Sequence, residues 1–157
     1  ASTIANSWYE QVVAANPSKS FSKTACQGDG PDTAVSKQTE IELINAQKAI
    51  LFIGTNQVIQ ESAAAALTSY AQMYTILQNA GVTQFIHLNA LPRAGSTAIN
   101  TFNAGLVSAY PSDTIVDLNV LFNDGSNAMD PLLANADGIH PNDAGELIIS
   151  AAVDALV

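Results

Sequence analysis

Apolar residues recur along the chain in two kinds of pattern, and the two alternate. Short runs of apolar residues bounded by glycine, proline or polar residues are typical of buried strands. Apolar positions spaced three and four apart predict helices with one buried face. The strand pattern occurs over residues 21–26, 49–53, 84–88 and 114–118. The helical pattern occurs over residues 3–15, 62–80, 99–109 and 147–156, and in a helix that begins at Asp32 or Thr33 and carries Val35, Leu43 and Ile44.

This alternation predicts the fold class. Strands that alternate with helices form a parallel sheet covered by helices on both faces. No repeat, linker or low-complexity segment divides the sequence. We therefore expect residues 1–157 to form a single α/β domain, a three-layer α/β/α sandwich.

Composition and charge narrow the possible partners. The chain has five Lys and Arg residues against fourteen Asp and Glu, a net charge of −9. Phosphate binding needs clustered cations, so nucleic acid and anionic membranes are disfavoured. The apolar runs are too short to span a bilayer, and residues 1–15 lack the basic start of a signal peptide. Low charge and sparse lysine favour a secreted protein.

A turn near the C-terminus carries the strongest candidate chemistry. Asp137 and His140 lie three residues apart, just before a helix that we expect Asp143 to cap with Glu146 reaching back. The apolar stripe expected on that helix is Ile148, Ala151, Ala152 and Ala155. A carboxylate that accepts a proton from one imidazole nitrogen leaves the other nitrogen free as a general base. An ordinary Asp-Gly turn with an incidental histidine explains the same residues.

Two loops that follow predicted strands add candidate hydrogen-bond donors. The backbone N–H of Gly28 and the side-chain amide of Asn56 could face a developing oxyanion. Each residue also has an ordinary explanation, as a turn glycine and as a loop asparagine bonded to its own backbone. Cys26 is interpreted as a buried residue at a strand end, and His87 as a core or strand-end histidine bonded to backbone.

The sequence contains three further blocks of note: Gln27-Gly28-Asp29, Gly54-Thr55-Asn56 and Asp137-Gly138-Ile139-His140-Pro141. These blocks resemble those of the SGNH (GDSL-type) hydrolases, and the run 137–145 is similar to that of acetylxylan esterase-like members. The resemblance implies a flavodoxin-like fold, with His140 as general base, Asp137 as its orienting carboxylate, and Gly28 and Asn56 as oxyanion donors. It also implies ester hydrolysis through an acyl-enzyme, without metal or cofactor.

The sequence departs from the family pattern at two places. Gln57 replaces the usual Asp after the Asn, and no Gly-Asp-Ser block is present. Ser7 falls inside the predicted first helix, so it does not fit the nucleophile position. The first strand and its serine are therefore expected to be absent from this chain. A separate N-terminal segment that completes the sheet, an incomplete record of a longer chain, or a rearranged inactive domain would each explain the absence.

The resulting expectation is an ester hydrolase with a Ser-His-Asp mechanism, whose serine comes from a segment outside this sequence. A carbohydrate acetyl ester or a short acyl ester is the expected substrate. A non-catalytic glycan- or acyl-binding protein is the main alternative. A metal-binding domain that uses Asp130, Asp137 and His140 is a third hypothesis, with weaker ligand spacing.

Overall fold

The computed structural model describes residues 7–24 and 28–157, which form two compact units. The first unit comprises residues 7–21, 91–95 and 118–157, and the second comprises residues 22–24, 28–90 and 96–117. The expected single domain stays a prediction. Along the described residues the elements are α1 (Trp8–Ala15), α2 (Pro31–Ser36), α3 (Gln38–Ile44), β1 (Lys48–Leu51), α4 (Thr55–Gln60), α5 (Ala63–Asn79), β2 (Gln84–Leu88), α6 (Thr97–Ala109), β3 (Thr114–Val116), α7 (Leu118–Phe122) and α8 (Asp143–Asp154).

The second unit contains a parallel sheet with the strand order β1-β2-β3. Lys48 lies opposite Gln84, and His87 lies opposite Ile115. The two consecutive connections run in the same direction across the sheet, so right-handed crossovers place α5 and α6 on one face, where they pack together. The predicted α/β class with a parallel sheet is confirmed.

The core of this unit lies between the sheet and the long helices. Serine caps begin both helices: Ser62 Oγ accepts from Ala65 N (3.1 Å) at α5, and Ser96 Oγ accepts from Ile99 N (3.4 Å) at α6. The largest buried side chains of this core belong to the two helices and β2, and they include Tyr70, Met73, Phe85, Phe102 and Leu106.

Two predictions for residues 21–44 are wrong. Residues 21–24 of the expected strand 21–26 have no regular structure, and Cys26 lies outside the described residues. The described sheet consists of β1, β2 and β3, and residues 21–24 do not pair with any of them. The single helix expected after Asp32 or Thr33 is two helices, α2 and α3, which meet at Lys37, and the N-cap of α2 is Gly30.

The first unit is helical, with α1 packed against α8. Trp8 N donates to Glu146 Oε2 (2.6 Å), and Asn16 Nδ2 donates to Asp154 Oδ1 (2.6 Å). The sequence predicts a long loop over residues 119–141, but α7 occupies the start of this segment. None of the helices in the described residues is long and apolar enough to cross a membrane.

The start and the buried face of α8 also differ from the prediction. Asn142, rather than Asp143, is the N-cap, and its side-chain oxygen accepts from Ala144 N (3.0 Å) and Gly145 N (3.1 Å). Glu146 bonds to Trp8 instead of reaching back to the cap. The expected stripe was Ile148, Ala151, Ala152 and Ala155, whereas the buried residues are Gly145, Ile149, Ser150 and Val153.

Candidate active site

The Asp137–His140 pair forms in the first unit as the sequence predicts. His140 Nδ1 lies 2.8 Å from Asp137 Oδ2. The other carboxylate oxygen, Oδ1, accepts from Ile139 N (2.8 Å) and His140 N (3.0 Å). Asp137 is therefore fixed by the backbone of its own turn, and it holds the imidazole from a fixed position.

The charge state of Asp137 follows from the same bonds. The His140 backbone N–H, the His140 side chain and the Ile139 N–H hold the pKa of Asp137 well below its usual range. An ionised carboxylate only accepts, so the geometry assigns the proton to His140 Nδ1 and the lone pair to Nε2. The His140 side chain is 69% exposed, and Nε2 has no hydrogen-bond partner among the described residues. The arrangement can accept a proton from a group that approaches from outside.

Two asparagines hold the turn that carries the pair, and neither role was predicted from the sequence. Asn135 donates from its backbone N–H to His140 O (2.8 Å) and from its side chain to Pro141 O (2.8 Å). Asn142 Nδ2 donates to Leu132 O (2.9 Å) and Ala134 O (3.1 Å). The asparagines on either side of the Asp-Gly turn were a sequence signal for such roles. Their hydrogen-bond partners, however, depend on the fold of the loop.

The two predicted oxyanion donors lie close together in the second unit. Asn56 is in the first turn of α4, and its Nδ2 donates to Asp29 O (3.2 Å), the carbonyl of the residue after Gly28. Gly28 has φ +87°, a left-handed conformation that side chains disfavour, and its N–H has no partner among the described residues. Asn56 borders a small hollow lined by Asp29, Phe52, Ile53, Gly54, Thr55 and Ala90.

Gln57, where the family pattern has Asp, is a packing residue. It is 4% exposed. Its Oε1 accepts from Asp32 N (3.3 Å), and its Nε2 donates to Glu61 Oε2 (3.1 Å) and Ser69 Oγ (3.1 Å). These bonds join α2, α4 and α5, so Gln57 holds the helix that carries Asn56 against its neighbours.

His87 is a core histidine, as expected, but its partners are side chains rather than backbone. It is fully buried, with Nδ1 2.8 Å from Tyr70 Oη and Nε2 3.0 Å from Asp113 Oδ2. Tyr74 Oη donates to the same Asp113 oxygen (2.9 Å), and the Tyr110 ring stacks on the imidazole with centroids 4.8 Å apart. Both ring nitrogens are occupied, which fits a structural role.

The structure thus brings the four predicted site residues together as two pairs, one in each compact unit. Asp137 and His140 are one pair, and Gly28 with Asn56 is the other. Asp130, the third candidate of the metal hypothesis, accepts from Leu132 N (2.9 Å) with its side chain. No cluster of three or more histidine, cysteine or acidic side chains suited to a metal occurs in the described part of the chain.

Comparison with known proteins identifies the fold. No protein-family model matches the chain, and no curated protein matches it in sequence. Among solved structures, a member of the lipolytic protein G-D-S-L family from Veillonella parvula superposes with a TM-score of 0.83 at 13% identity, over 99% of this chain and 89% of that one. The chain therefore has the fold of the G-D-S-L lipolytic proteins, and for the fold the predicted SGNH resemblance is confirmed.

Two further solved structures with this fold are esterases of carbohydrate substrates by name. A carbohydrate esterase family 3 protein from Talaromyces cellulolyticus has a TM-score of 0.74 at 17% identity, covering 98% of this chain and 88% of that one. A mutant acetyl-xylooligosaccharide esterase from Geobacillus has a TM-score of 0.77 at 12% identity, covering 98% and 83%. At these identities the likeness concerns the fold.

Proposed function

We propose that this protein is a carboxylic ester hydrolase of the SGNH type that acts on carbohydrate acetyl esters or other short acyl esters. The single observation that carries the proposal is the Asp137–His140 pair, in which a backbone-fixed carboxylate orients an exposed imidazole with a free Nε2. The solved structures of similar fold add support, since several are esterases or lipases by name.

In the proposed reaction a serine hydroxyl attacks the ester carbonyl while His140 Nε2 takes its proton. The oxygen that becomes negative accepts hydrogen bonds from the Gly28 N–H and the Asn56 side-chain amide. The proton on His140 then passes to the departing alcohol, which leaves an acyl-serine. His140 Nε2 next takes a proton from a water molecule, which attacks the acyl-serine. The proton passes back to the serine oxygen as the carboxylic acid is released. Asp137 keeps the imidazole in the required tautomer throughout.

The serine in this proposal belongs to a strand outside these 157 residues, which would pair with the sheet of the second unit. Ser7, the serine nearest a family position in sequence, is the N-cap of α1, and its Oγ accepts from Glu10 N (3.4 Å). Strand β1 is at one edge of the described sheet, and residues 21–24 have no described strand beside them. An added strand at that edge would give both segments a hydrogen-bonding partner.

The test is ester turnover by the full-length protein, measured with p-nitrophenyl acetate. His140→Ala should lower kcat by about 10⁴-fold or more, and Asn56→Ala by about 10²–10³-fold. Since the His140 side chain is 69% exposed, the melting temperature of the histidine variant should stay close to the wild-type value. Unchanged turnover in His140→Ala would refute the assignment.

A glycan- or acyl-binding protein without catalysis is the second candidate. It is favoured by the observation that no serine hydroxyl in the described residues bonds to His140. A serine-reactive fluorophosphonate followed by denaturing intact-mass measurement separates the two candidates. An adduct on a further polypeptide or segment supports the hydrolase, whereas saturable binding of an acetylated oligosaccharide with no adduct and no turnover supports the binding protein.

A further inference from the structure

We infer that Lys37 is a positioning residue for the oxyanion donors, an assignment that rests on the proposed function. Lys37 lies at the junction of α2 and α3 and is one of only five Lys and Arg residues in the chain. Its Nζ is 2.7 Å from Asp29 Oδ2 and 3.1 Å from the carbonyl oxygen of Thr24. One ammonium group therefore bonds to both residues that flank segment 25–28.

The Lys37–Asp29 pair is shielded from solvent more than an ordinary surface ion pair. The two side chains are 21% and 14% exposed. Ion pairs on the open surface contribute little to stability, because water and salt screen them. A shielded ammonium that also bonds a carbonyl has fixed partners on two sides. Lys37 therefore restrains the positions of Thr24 and Asp29 in addition to pairing with the Asp29 charge.

Asp29 connects this restraint to both donors. Its carboxylate bonds Lys37, while its carbonyl oxygen accepts from Asn56 Nδ2 (3.2 Å). Gly28 is its immediate neighbour and has φ +87°, so the direction of the Gly28 N–H depends on how the loop is held. Nδ2 carries two hydrogens, and the bond to Asp29 leaves one for an oxyanion. Lys37 thus sets the position of Asp29, and Asp29 sets the positions of Gly28 and Asn56.

An oxyanion hole contributes mainly in the transition state, so loss of its alignment should lower kcat more than it raises KM. In the full-length protein, with p-nitrophenyl acetate, Lys37→Met should lower kcat about 10- to 100-fold and leave KM within about twofold. Lys37→Arg should retain most of kcat, because guanidinium can donate to the carboxylate and to the carbonyl. Lys19→Met is the control of equal charge change, since Lys19 is exposed and its side chain has no described partner.

Backbone ¹⁵N relaxation of the Gly28 and Asp29 amides gives a readout that does not require turnover. The order parameters of both amides should be lower in Lys37→Met than in wild type or Lys19→Met. If Lys37→Met does not fold, Lys37→Gln, which keeps a neutral donor, takes its place in both assays. Normal kcat in a folded Lys37 variant, or a rise in KM alone, would overturn the inference. Absence of turnover in the wild type would instead overturn the proposed function, and the order parameters of Gly28 and Asp29 would then decide whether Lys37 holds these two residues.

Discussion

Gly54→Ala is the substitution whose cost the structure defines best. Gly54 joins β1 to α4 and has φ +134° and ψ −34°. A Cβ atom added there would lie 2.3 Å from Phe102 Cζ and 2.6 Å from Phe102 Cε1. Phe102 is fully buried and packs edge-on against Tyr70, so its ring has no free space to enter.

Two separate effects give the expected magnitude. A non-glycine residue in a sparsely populated backbone region costs about 1–3 kcal/mol. Extra atoms in a well-packed core cost about another 1–3 kcal/mol. We therefore expect Gly54→Ala to lower the free energy of unfolding by about 2–6 kcal/mol. That is a large share of the roughly 5–15 kcal/mol typical of a domain.

Urea unfolding followed by circular dichroism measures this loss, and Gly125→Ala is the matched control. Gly125 also has a positive φ, +93°, but an added Cβ would meet nothing within 4 Å. Gly125→Ala therefore has the unfavourable backbone conformation but no steric clash of the new Cβ atom. Equal destabilisation of the two variants would refute the steric part of the reasoning. A double-mutant cycle with Phe102→Leu should show that the smaller side chain recovers part of the loss.

Further predictions concern the last helix and the buried tyrosines. Asn142→Ala should lower the free energy of unfolding by about 1–2 kcal/mol, since it removes the cap of α8. Asp143→Ala should change it by less than about 0.5 kcal/mol. Equal urea midpoints for the two variants would contradict this assignment of the cap. Burial raises the pKa of Tyr70 well above 10, and burial together with Asp113 raises that of Tyr74 to about 12. Unfolded tyrosines ionise near 10, so stability should be fully present below about pH 10 and fall as pH rises toward 12. The chain has two further tyrosines, so absorbance at 295 nm beyond two tyrosinates should appear only together with loss of helical signal. Absorbance equivalent to three or four tyrosinates in a fully helical protein would contradict this.

Elements with a strong local pattern were predictable from the sequence. The apolar run ending in Leu88 is β2, and the helix expected over residues 62–80 is α5, where Ser62 supplies a cap. The buried face of α8 was predicted wrongly, since its alanines fit either side of a helix equally well. Asn142 and Asp143 are both good caps in sequence. Asn142 takes the position, and only an amide can also donate to the Leu132 and Ala134 carbonyls.

In the candidate site, too, local contacts were predictable from the sequence and distant contacts were not. The pairing of Asp137 with His140 follows from a spacing of three residues within one turn, so local sequence was sufficient to predict it. The bond from Asn56 Nδ2 to the Asp29 carbonyl joins positions 27 residues apart, and the sequence does not predict it. No sequence motif marks Lys37. Its partners, Thr24 and Asp29, lie 13 and 8 residues away in sequence, so the contacts depend on the folded chain.

The different surroundings of the two histidines have a practical consequence for following the protein in solution. The chain has no other imidazoles. His87 is fully buried in the unit that contains the sheet, and His140 is largely exposed in the helical unit. Isotope-edited NMR of the imidazole rings would therefore give one reporter signal for each unit. The predicted single domain would lose both native signals at the same urea concentration, so two resonances would serve as a direct measure of unfolding cooperativity.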